Sequence, residues 1–333
     1  MAPLFGFALV GLVLFVLAVN LVKTPSDFFT VMMIGVTNGA VYGLVALGYS
    51  LVYGILELIN FAHGDVFMLG GMFSATFTLS IFGLGSHPSM GSLLPAVIVS
   101  LIAVMAICGA INVTVERIAY KPLRHAPRLA PLITAIAASF ILQNVALVWK
   151  GPGYTALPPL LPNSQVFSLG GVTYTWNKLI VLLLVAPVLL ALVWLVQKTR
   201  QGKAMRAVAQ DRDAAAMMGI NVDRTISFTF LIAGGLAGAA GLVYALYFTS
   251  VRFDTGFKLG LIAFTAAVVG GIGNLPGAVL GGLLIGVIEA FNEGLNWRMP
   301  GSDWTESIVF SILIVILVFR PQGLLGEHTP EGS

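Results

Sequence analysis

Charged residues are scarce in this sequence and cysteine is nearly absent. Asp, Glu, Lys and Arg make up 9% of the 333 residues, whereas about 25% is typical of a soluble domain. A soluble protein of this length needs a polar surface, and this chain lacks the residues to form one. The single cysteine, Cys108, excludes an intrachain disulfide and a multi-cysteine metal site. We therefore expect lipid to cover much of the surface.

Sequence motifs of common enzyme classes are also missing. There is no H-E-x-x-H zinc motif and no G-x-S-x-G nucleophile motif. A phosphate-binding G-x-x-x-x-G-K-[ST] loop is absent too, because Ala204 follows Gly202-Lys203. We expect a chain that is not an enzyme and binds no cofactor or metal itself, with a membrane-embedded enzyme as an alternative. The net charge of +3 is divided among separate loops, so we expect no nucleic-acid partner.

Long apolar segments make up much of the sequence. Hydrophobic residues make up 58% of the chain, and the segments 28–56, 66–115 and 259–288 contain no Asp, Glu, Lys or Arg. About 20 apolar residues in a helix cross the hydrocarbon core, where the backbone must satisfy its own hydrogen bonds. The alternation of a membrane β-barrel is absent. The sequence predicts an all-α fold, a polytopic membrane helical bundle of about 8–10 transmembrane helices with broken or re-entrant segments.

The predicted segments are 3–22, 28–50, 65–84, 93–115, 131–149, 179–197, 226–249, 257–272, 275–292 and 304–320. The first lacks the basic start and cleavage site of a signal peptide, so we favour an uncleaved helix. The eighth is short and flanked by glycine, which indicates a half-helix or a re-entrant segment. Glycines at four-residue spacing in several segments predict close helix packing. Asn144 in the fifth segment is expected to make an interhelical hydrogen bond.

The basic residues predict the orientation. The loops 116–130 and 198–225 hold ten of the 17 Lys and Arg residues, so we place both loops in the cytoplasm. Ten spans then place both termini in the cytoplasm as well. The proline-rich loop 150–178 is expected outside, as an extended cap.

Two glycine-rich breaks interrupt the apolar segments, at 57–65 and at 270–277. In transporters, broken helices of this kind often mark the translocation pathway. The alternative is an ordinary turn at the cytoplasmic face. Asn60, His63 and Asp65 favour a functional role for the first break, and for the second the two interpretations stay open.

Two further features have two interpretations each. Glu289 lies near the end of the ninth segment and is either interfacial or lines a water-filled path. The stretch 202–219 is predicted to be one helix of mixed charge at the membrane face. It either docks to another protein or only connects two spans.

Four separated blocks resemble one family. They are GLVALGYSLVYG at 43–54 with INFAHGD at 59–65, GKAMRAVAQD at 202–211 with AAAMMGI at 214–220, AVVGGIGNLPGA at 267–278, and FRPQGLLG at 319–326. In this order they closely resemble the permease subunits of bacterial ABC importers for branched-chain amino acids. The resemblance covers residues 28–326, and the segment 3–22 departs from the usual pattern.

The resemblance implies one transmembrane permease domain over 1–333, with 198–225 as a cytoplasmic coupling loop within it. It implies a multi-pass protein of the bacterial plasma (inner) membrane. It implies a second related permease, two ATP-binding subunits that carry ATP and Mg²⁺, an extracytoplasmic solute-binding protein and an amino-acid substrate. Alternating access driven by the ATPases would carry leucine, isoleucine and valine inward.

The resemblance also implies residue roles. An E-A-A-x-x-x-G motif contacts the ATPase in the wider class, and Asp213-Ala214-Ala215 followed by Gly219 matches it with Asp in place of Glu. The residues expected to couple to the ATPase are Arg206, Asp211, Asp213, Ala214, Ala215 and Gly219. The residues expected along the substrate path are Asn60, His63, Asp65, Gly271, Gly273, Asn274 and Glu289.

Two other transport functions remain open from the sequence. One is a permease for urea or short amides, whose sequences are closely similar. The other is a secondary transporter coupled to an ion gradient, for which Glu289 is the candidate intramembrane acid. A structural membrane protein is a third alternative.

Overall fold

The computed structural model describes residues 15–86, 88–124, 126–127, 129–297 and 299–326. Residues 15–23 are helical. Most of the predicted first segment, 3–14, lies outside the described residues, and so does the interpretation of that segment as an uncleaved helix.

Helices make up most of the described chain. They are α1 (Pro25–Leu56), α2 (Ala62–Thr76), α3 (Met90–Val115), α4 (Leu129–Lys150), α5 (Trp176–Lys198), α6 (Arg200–Gln210), α7 (Arg212–Met217), α8 (Val222–Phe248), α9 (Thr255–Gly270), α10 (Leu275–Gly294) and α11 (Thr305–Phe319). Wider π-helical turns extend α2 over Phe77–Ile81 and α3 over Glu116–Tyr120, and short 3₁₀ turns lie at Lys121–Leu123 and Ser302–Trp304.

Four short strands lie on the loops. Strand β1 (Thr155–Ala156) pairs antiparallel with β4 (Ser250–Val251). Strand β2 (Gln165–Leu169) pairs antiparallel with β3 (Val172–Thr175). The Tyr174 hydroxyl at the end of this hairpin shares a 3.0 Å hydrogen bond with the Thr37 hydroxyl of α1. The hydroxyl is protonated at neutral pH even at the ordinary pKa of tyrosine, and burial raises the pKa of Tyr174 further. The predicted outer cap is thus a hairpin fastened to the bundle.

Eight helical segments of the described chain are long and apolar enough to cross a membrane. They are Pro25–Leu56, Ala62–Ile81, Gly91–Leu123, Leu129–Lys150, Trp176–Lys198, Val222–Phe248, Leu275–Gly294 and Ser302–Phe319. They confirm the all-α polytopic prediction. The predicted eighth segment is α9, whose 16 residues extend about 24 Å at 1.5 Å per residue, less than the roughly 30 Å hydrocarbon core.

Glycines let the central helices pack backbone to backbone. A Cβ added at Gly286 of α10 would lie 2.3 Å from the Gly39 nitrogen of α1, and one added at Gly35 would lie 2.6 Å from the Val287 Cα. Lipid supplies no hydrophobic force between helices, so close van der Waals contact must hold them together. The predicted close packing along the glycine faces is therefore present where α1 meets α10.

Helix α8 lies at the centre of the bundle. Gly234 packs on Cys108 and Asn112 of α3, while Gly238 packs on Gly70 of α2. Most of the apolar side chains of α8 are buried. Helix α8 touches both α2 and α3 along its length. The position of a contact along α8 therefore shows how far the contacting residue lies from either end of the bundle.

Helix α9 begins halfway across the bundle. Its Gly256 and Gly260 both pack on Gly64 in the first turn of α2, and its last residue, Gly270, packs on Gly277 of α10. Between α8 and α9 the chain folds back, and Val251 lies against Gly71 of α2. A half-length helix that follows a re-entrant strand is the type of broken segment that the sequence predicted.

The prediction for Asn144 is wrong. Its Nδ2 donates to the Phe140 carbonyl of its own helix at 2.8 Å, and the side chain is exposed. No described helix covers this face of α4, where Ile141, Val145 and Val148 are also exposed. An amide without a facing helix can satisfy its donor only on its own backbone.

The glycine contact between α1 and α10 gives a stability test. We expect Gly286→Ala to destabilise the protein by about 1–3 kcal/mol, because the added methyl overpacks a backbone contact. Gly153→Ala is the control, since a Cβ there would meet nothing within 4 Å. The measurement is the thermal midpoint in detergent, and equal midpoints for the two variants would contradict this packing.

Candidate functional site

The first break occupies residues 57–61, between α1 and α2. Helix α1 ends at Leu56, and Glu57 adopts a left-handed conformation with φ of 55°. The predicted break at 57–65 is therefore present at its first part. His63 and Asp65 already belong to the first turn of α2.

The side chain of Asn60 fastens this break to α3 and α8. Its Nδ2 donates to Asn112 Oδ1 at 3.2 Å, and its Oδ1 accepts from the Tyr120 hydroxyl at 3.1 Å. Asn112 in turn donates to the Phe230 carbonyl at 2.7 Å. Asn60 is 1% exposed. Both ends of its amide are thus used inside the chain, where a buried polar group must be paired.

His63 is fully buried between α1 and α2. Its ring meets the Tyr49 ring edge-on, with 4.8 Å between centroids. Gly48 makes room for it, since a Cβ at that position would lie 2.2 Å from His63 Nε2. The imidazole therefore fills a space that only a glycine on α1 leaves open.

Asp65 faces α4. One of its carboxylate oxygens accepts from the Ser139 hydroxyl, and Gln143 stands one turn further along α4, 3.2 Å from the same hydroxyl. Asp65 is fully buried. The structure therefore brings Asn60, His63 and Asp65 together at the start of α2, where α1, α3 and α4 converge.

The second break occupies residues 271–274, between α9 and α10. Gly271 has φ of 111° and Gly273 has φ of 90°, conformations that favour glycine. Asn274 caps α10, because its Oδ1 accepts from the Gly277 nitrogen at 2.9 Å. Its Nδ2 donates to the Leu325 carbonyl at 2.7 Å.

The C-terminal block covers this second break. The Leu324 nitrogen donates to the Val269 carbonyl at 2.9 Å, and the Leu325 nitrogen donates to the Gly270 carbonyl at 3.0 Å. A Cβ on Gly273 would lie 3.8 Å from the Gly54 Cα of α1. The two breaks therefore lie at the same end of the bundle, close to the last turns of α1.

Glu289 lies apart from both breaks. It is 15 residues along α10 from Asn274, or about 22 Å at 1.5 Å per residue. The Tyr42 hydroxyl of α1 lies beside its carboxylate, and Tyr244 of α8 is also close. The predicted path residues thus form two separate groups, one at the breaks and one around Glu289. No local pattern indicated the two tyrosines, because they come from distant helices.

A cavity of about 340 Å³ opens beside the first break. Its lining comes from the end of α1, the loop after α3 and the loop after α5, and includes Ile55, Glu57, Leu123, Arg124, Gln210 and Arg212. Both predicted basic loops therefore meet the first break at one cavity.

A buried ion pair fixes the loop after α3. Glu116 is fully buried and accepts from Arg124 and, at 2.8 Å, from the Ser227 hydroxyl of α8. Arg124 also pairs with Asp223, which Lys121 contacts at 2.9 Å. The four charges join the end of α3 to the start of α8.

The prediction of one helix over 202–219 is wrong. Asp211 is extended, with φ of −155° and ψ of 115°, and separates α6 from α7. Its Oδ1 accepts from the Asp213 and Ala214 nitrogens, each at 2.9 Å. A short acidic side chain competes for the backbone in this way and favours a helix cap over a helix interior.

The predicted coupling residues lie on α6, on α7 and in the turn after α7. Ala215 is buried and Ala214 is half-buried, whereas Arg206, Asp211, Asp213 and Gly219 are exposed, as are the adjacent Met217 and Met218. Arg206 also donates to the Val196 carbonyl, and Asp211 caps α7. The exposed tip of the loop is joined to the bundle by Arg212, whose Nη2 donates to the Ile55 carbonyl at 2.8 Å.

The charges around Arg124 give a matched test. Glu116→Gln should cost about 3–5 kcal/mol, because it removes the charge from a buried pair. Asp223→Asn should cost at most about 1 kcal/mol, since the Asp223 side chain is 54% exposed. Thermal midpoints in detergent measure both. A larger effect from Asp223→Asn than from Glu116→Gln would show that the buried pair does not hold the loop.

Comparison with known proteins assigns the chain to a family. Residues 31–318 match the family described as the permease component of branched-chain amino acid transport systems. The chain is 40% identical to the high-affinity branched-chain amino acid transport permease BraD of Pseudomonas aeruginosa, over 89% of this chain and 95% of the relative. It is 36% identical to the permease LivH of Escherichia coli, over 91% of this chain and 97% of the relative.

The match covers all the elements from α1 to the end of α11 except the first few residues of α1 and the last residue of α11. It includes both breaks and the loop that carries α6 and α7. These permeases are membrane transport components, and membership implies ATPase and binding-protein partners. This chain belongs to the permease family of branched-chain amino acid ABC transport systems.

Proposed function

We propose that this protein is the permease of an ATP-driven importer that moves leucine, isoleucine and valine into the cell. One contact carries the proposal, the hydrogen bond from Arg212 of the coupling loop to the Ile55 carbonyl at the first break. It joins the exposed tip of the loop to the helix break where a path could open. The 40% identity to BraD supports this cargo over urea or short amides.

The proposed orientation places the basic loops in the cytoplasm of a bacterial plasma membrane. The cavity beside the first break opens between these two loops, and the second break lies at the same end of the bundle. The hairpin β2–β3 would then lie outside, where a solute-binding protein would deliver the amino acid. Both termini would be cytoplasmic.

The proposed partners are two ATP-binding subunits and a second, related permease. The ATPase pair, with its ATP and Mg²⁺, would dock on the tip formed by Asp213, Met217, Met218 and Gly219, which are all exposed. Exposed methionines adapt to a partner surface because their side chains are flexible and polarisable. Arg206 and Asp211 are exposed beside this tip. Because Arg206 donates to the Val196 carbonyl and Asp211 caps α7, they would also hold the tip in its shape.

The proposed mechanism is alternating access. Movement of α7 would reach α1 through Arg212 and act on Glu57, a left-handed non-glycine residue at the break. Such a residue stores backbone strain and can absorb a change of dihedral angles as domains move. Solute would favour one state over the other, which gives the cycle its direction.

The proposed path residues are those at the two breaks and the acid between α1 and α10: Asn60, His63, Asp65, Gly271, Gly273, Asn274 and Glu289. Since the amides of Asn60 and Asn274 are engaged within the chain, their part would be to hold the broken helices in place. Asp65 and Glu289 are the acidic residues of the set, and we place them where they would face a water-filled state.

Uptake by proteoliposomes tests the function and the cargo. With the second permease, the ATPase pair and the binding protein present, we expect leucine uptake that requires ATP and persists in the presence of an ionophore. Labelled urea should not accumulate. Uptake of urea alone would identify the other cargo, and uptake that an ionophore abolishes would identify a secondary transporter.

Two glycines with the same conformation test the docking surface. Gly219 and Gly151 both have φ of 83°, and a Cβ added at either would meet nothing within 4 Å, so Gly219→Trp and Gly151→Trp strain the backbone alike. We expect Gly219→Trp to lower co-purification with the ATPase at least tenfold, because it lies at the loop tip. Gly151→Trp, beyond the end of α4, should co-purify normally. Equal recovery of the ATPase with both variants would reject the docking surface.

A further inference from the structure

Three charged residues occur together where α9 begins. Arg252 donates two hydrogen bonds to the Asp254 carboxylate, from Nε and Nη2. The Nε lies 2.5 Å from Asp254 Oδ1. Lys258 is one turn further along the helix and is within electrostatic reach of Asp254. The sequence patterns assign no role to any of the three.

The charges lie about midway between the two ends of the bundle. They fall between Val251, which packs on Gly71, and Gly260, which packs on Gly64. The same stretch of α2 packs on Gly238 of α8. Gly238 is 16 residues from Val222 and 10 from Phe248, about 24 Å and 15 Å along the helix. The charged cluster is therefore level with the middle of a spanning helix.

These side chains are not enclosed by the chain itself. Arg252 is 32% exposed and Asp254 is 26% exposed, while Lys258 is exposed on the outside of α9. A charge in contact with lipid tails at this depth is unfavourable, so such residues face a water-filled cavity or a protein partner. Irregular backbone such as 249–254 is tolerated at this depth under the same condition.

The loop after α4 extends the same surface outward. Strand β1 pairs with β4, and the Leu157 nitrogen donates to the Thr249 carbonyl at 2.8 Å. The Tyr154 ring lies 5.1 Å from the Arg252 guanidinium carbon and is exposed. The exposed Tyr154 of the loop after α4 is thus a neighbour of the charged cluster.

We propose that Arg252, Asp254 and Lys258 form a binding site for the charged ends of a zwitterionic amino acid. The guanidinium of Arg252 would take the carboxylate and Asp254 would take the ammonium group, while Lys258 would receive the carboxylate one turn deeper. This inference rests on the proposed function, because it identifies the solute contacts of that importer.

The ion pair suits such a solute for a physical reason. In the empty site Arg252 and Asp254 neutralise each other, so neither charge is left unpaired at this depth. A zwitterion brings one charge of each sign and can replace both contacts at once, which an uncharged solute such as urea cannot do. Phe257 beside the cluster is 42% exposed and offers apolar surface for an aliphatic side chain.

Cysteine labelling in the reconstituted complex tests access to the site. The chain's own Cys108 is fully buried, so background labelling should be low. We expect a membrane-impermeant sulfonated methanethiosulfonate to label Lys258→Cys at least tenfold faster than Ile102→Cys. Ile102 is 65% exposed and lies on α3 close to Val104, which contacts Gly238 at the same depth. Equal rates would overturn the proposal.

Protection by ligands tests the chemistry of the site. Leucine should slow the labelling of Lys258→Cys, whereas 4-methylpentanoate, which lacks the amino group, should not. Equal protection by the two compounds, or none from leucine, would overturn the assignment to a zwitterion.

Uptake separates this inference from the proposed function. We expect Arg252→Gln and Asp254→Asn each to raise the KM for leucine uptake at least tenfold, with normal recovery of the ATPase and unchanged ATP hydrolysis in detergent. If the wild-type complex takes up no leucine with ATP, the proposed function fails. If the wild type transports leucine and both variants match its KM, only the charged site is rejected.

Discussion

This structure depends on one constraint: in lipid, every backbone N–H and C=O group must find its hydrogen-bond partner within the protein. A continuous helix meets that need by itself, so every interruption must be satisfied by another part of the chain. Asn112 and Tyr120 anchor the first break through Asn60, and the Tyr120 hydroxyl also donates to the Ile59 carbonyl at 3.2 Å. The C-terminal block supplies donors to the carbonyls before the second break. Each break thereby becomes a junction between segments that are distant in sequence.

Glycine makes these junctions possible by bringing backbones together. Gly39 and Gly286 let α1 and α10 touch, while Gly64 receives both Gly256 and Gly260 of α9. Without a hydrophobic force between helices in lipid, such contacts supply much of the packing energy. They also place the second break beside the last turns of α1, where Arg212 of the loop that carries α6 and α7 donates to the Ile55 carbonyl.

The sequence predicted where helices begin and break far better than what they touch. Apolar runs separated by Asn, Gly and Pro located both breaks and the short α9, since these patterns are local. The single helix over 202–219 was wrong because the cap formed by Asp211 outweighed the helical pattern. The prediction for Asn144 was wrong because no described neighbour covers its side of α4. The partners of Glu289 and Asp65 could not be predicted, as they come from helices far along the chain.

The sequence by itself determined that this is a membrane permease. The scarcity of charge, the apolar runs and the four family blocks are properties of the sequence that can be recognised without the fold. The tertiary structure decided which polar residues are neighbours in space. It separated Glu289 from the break residues and joined Arg212 to the end of α1. It also placed Arg252, Asp254 and Lys258 at mid-depth. Depth depends on how a half-length helix packs against its neighbours, and no local pattern of residues encodes that packing.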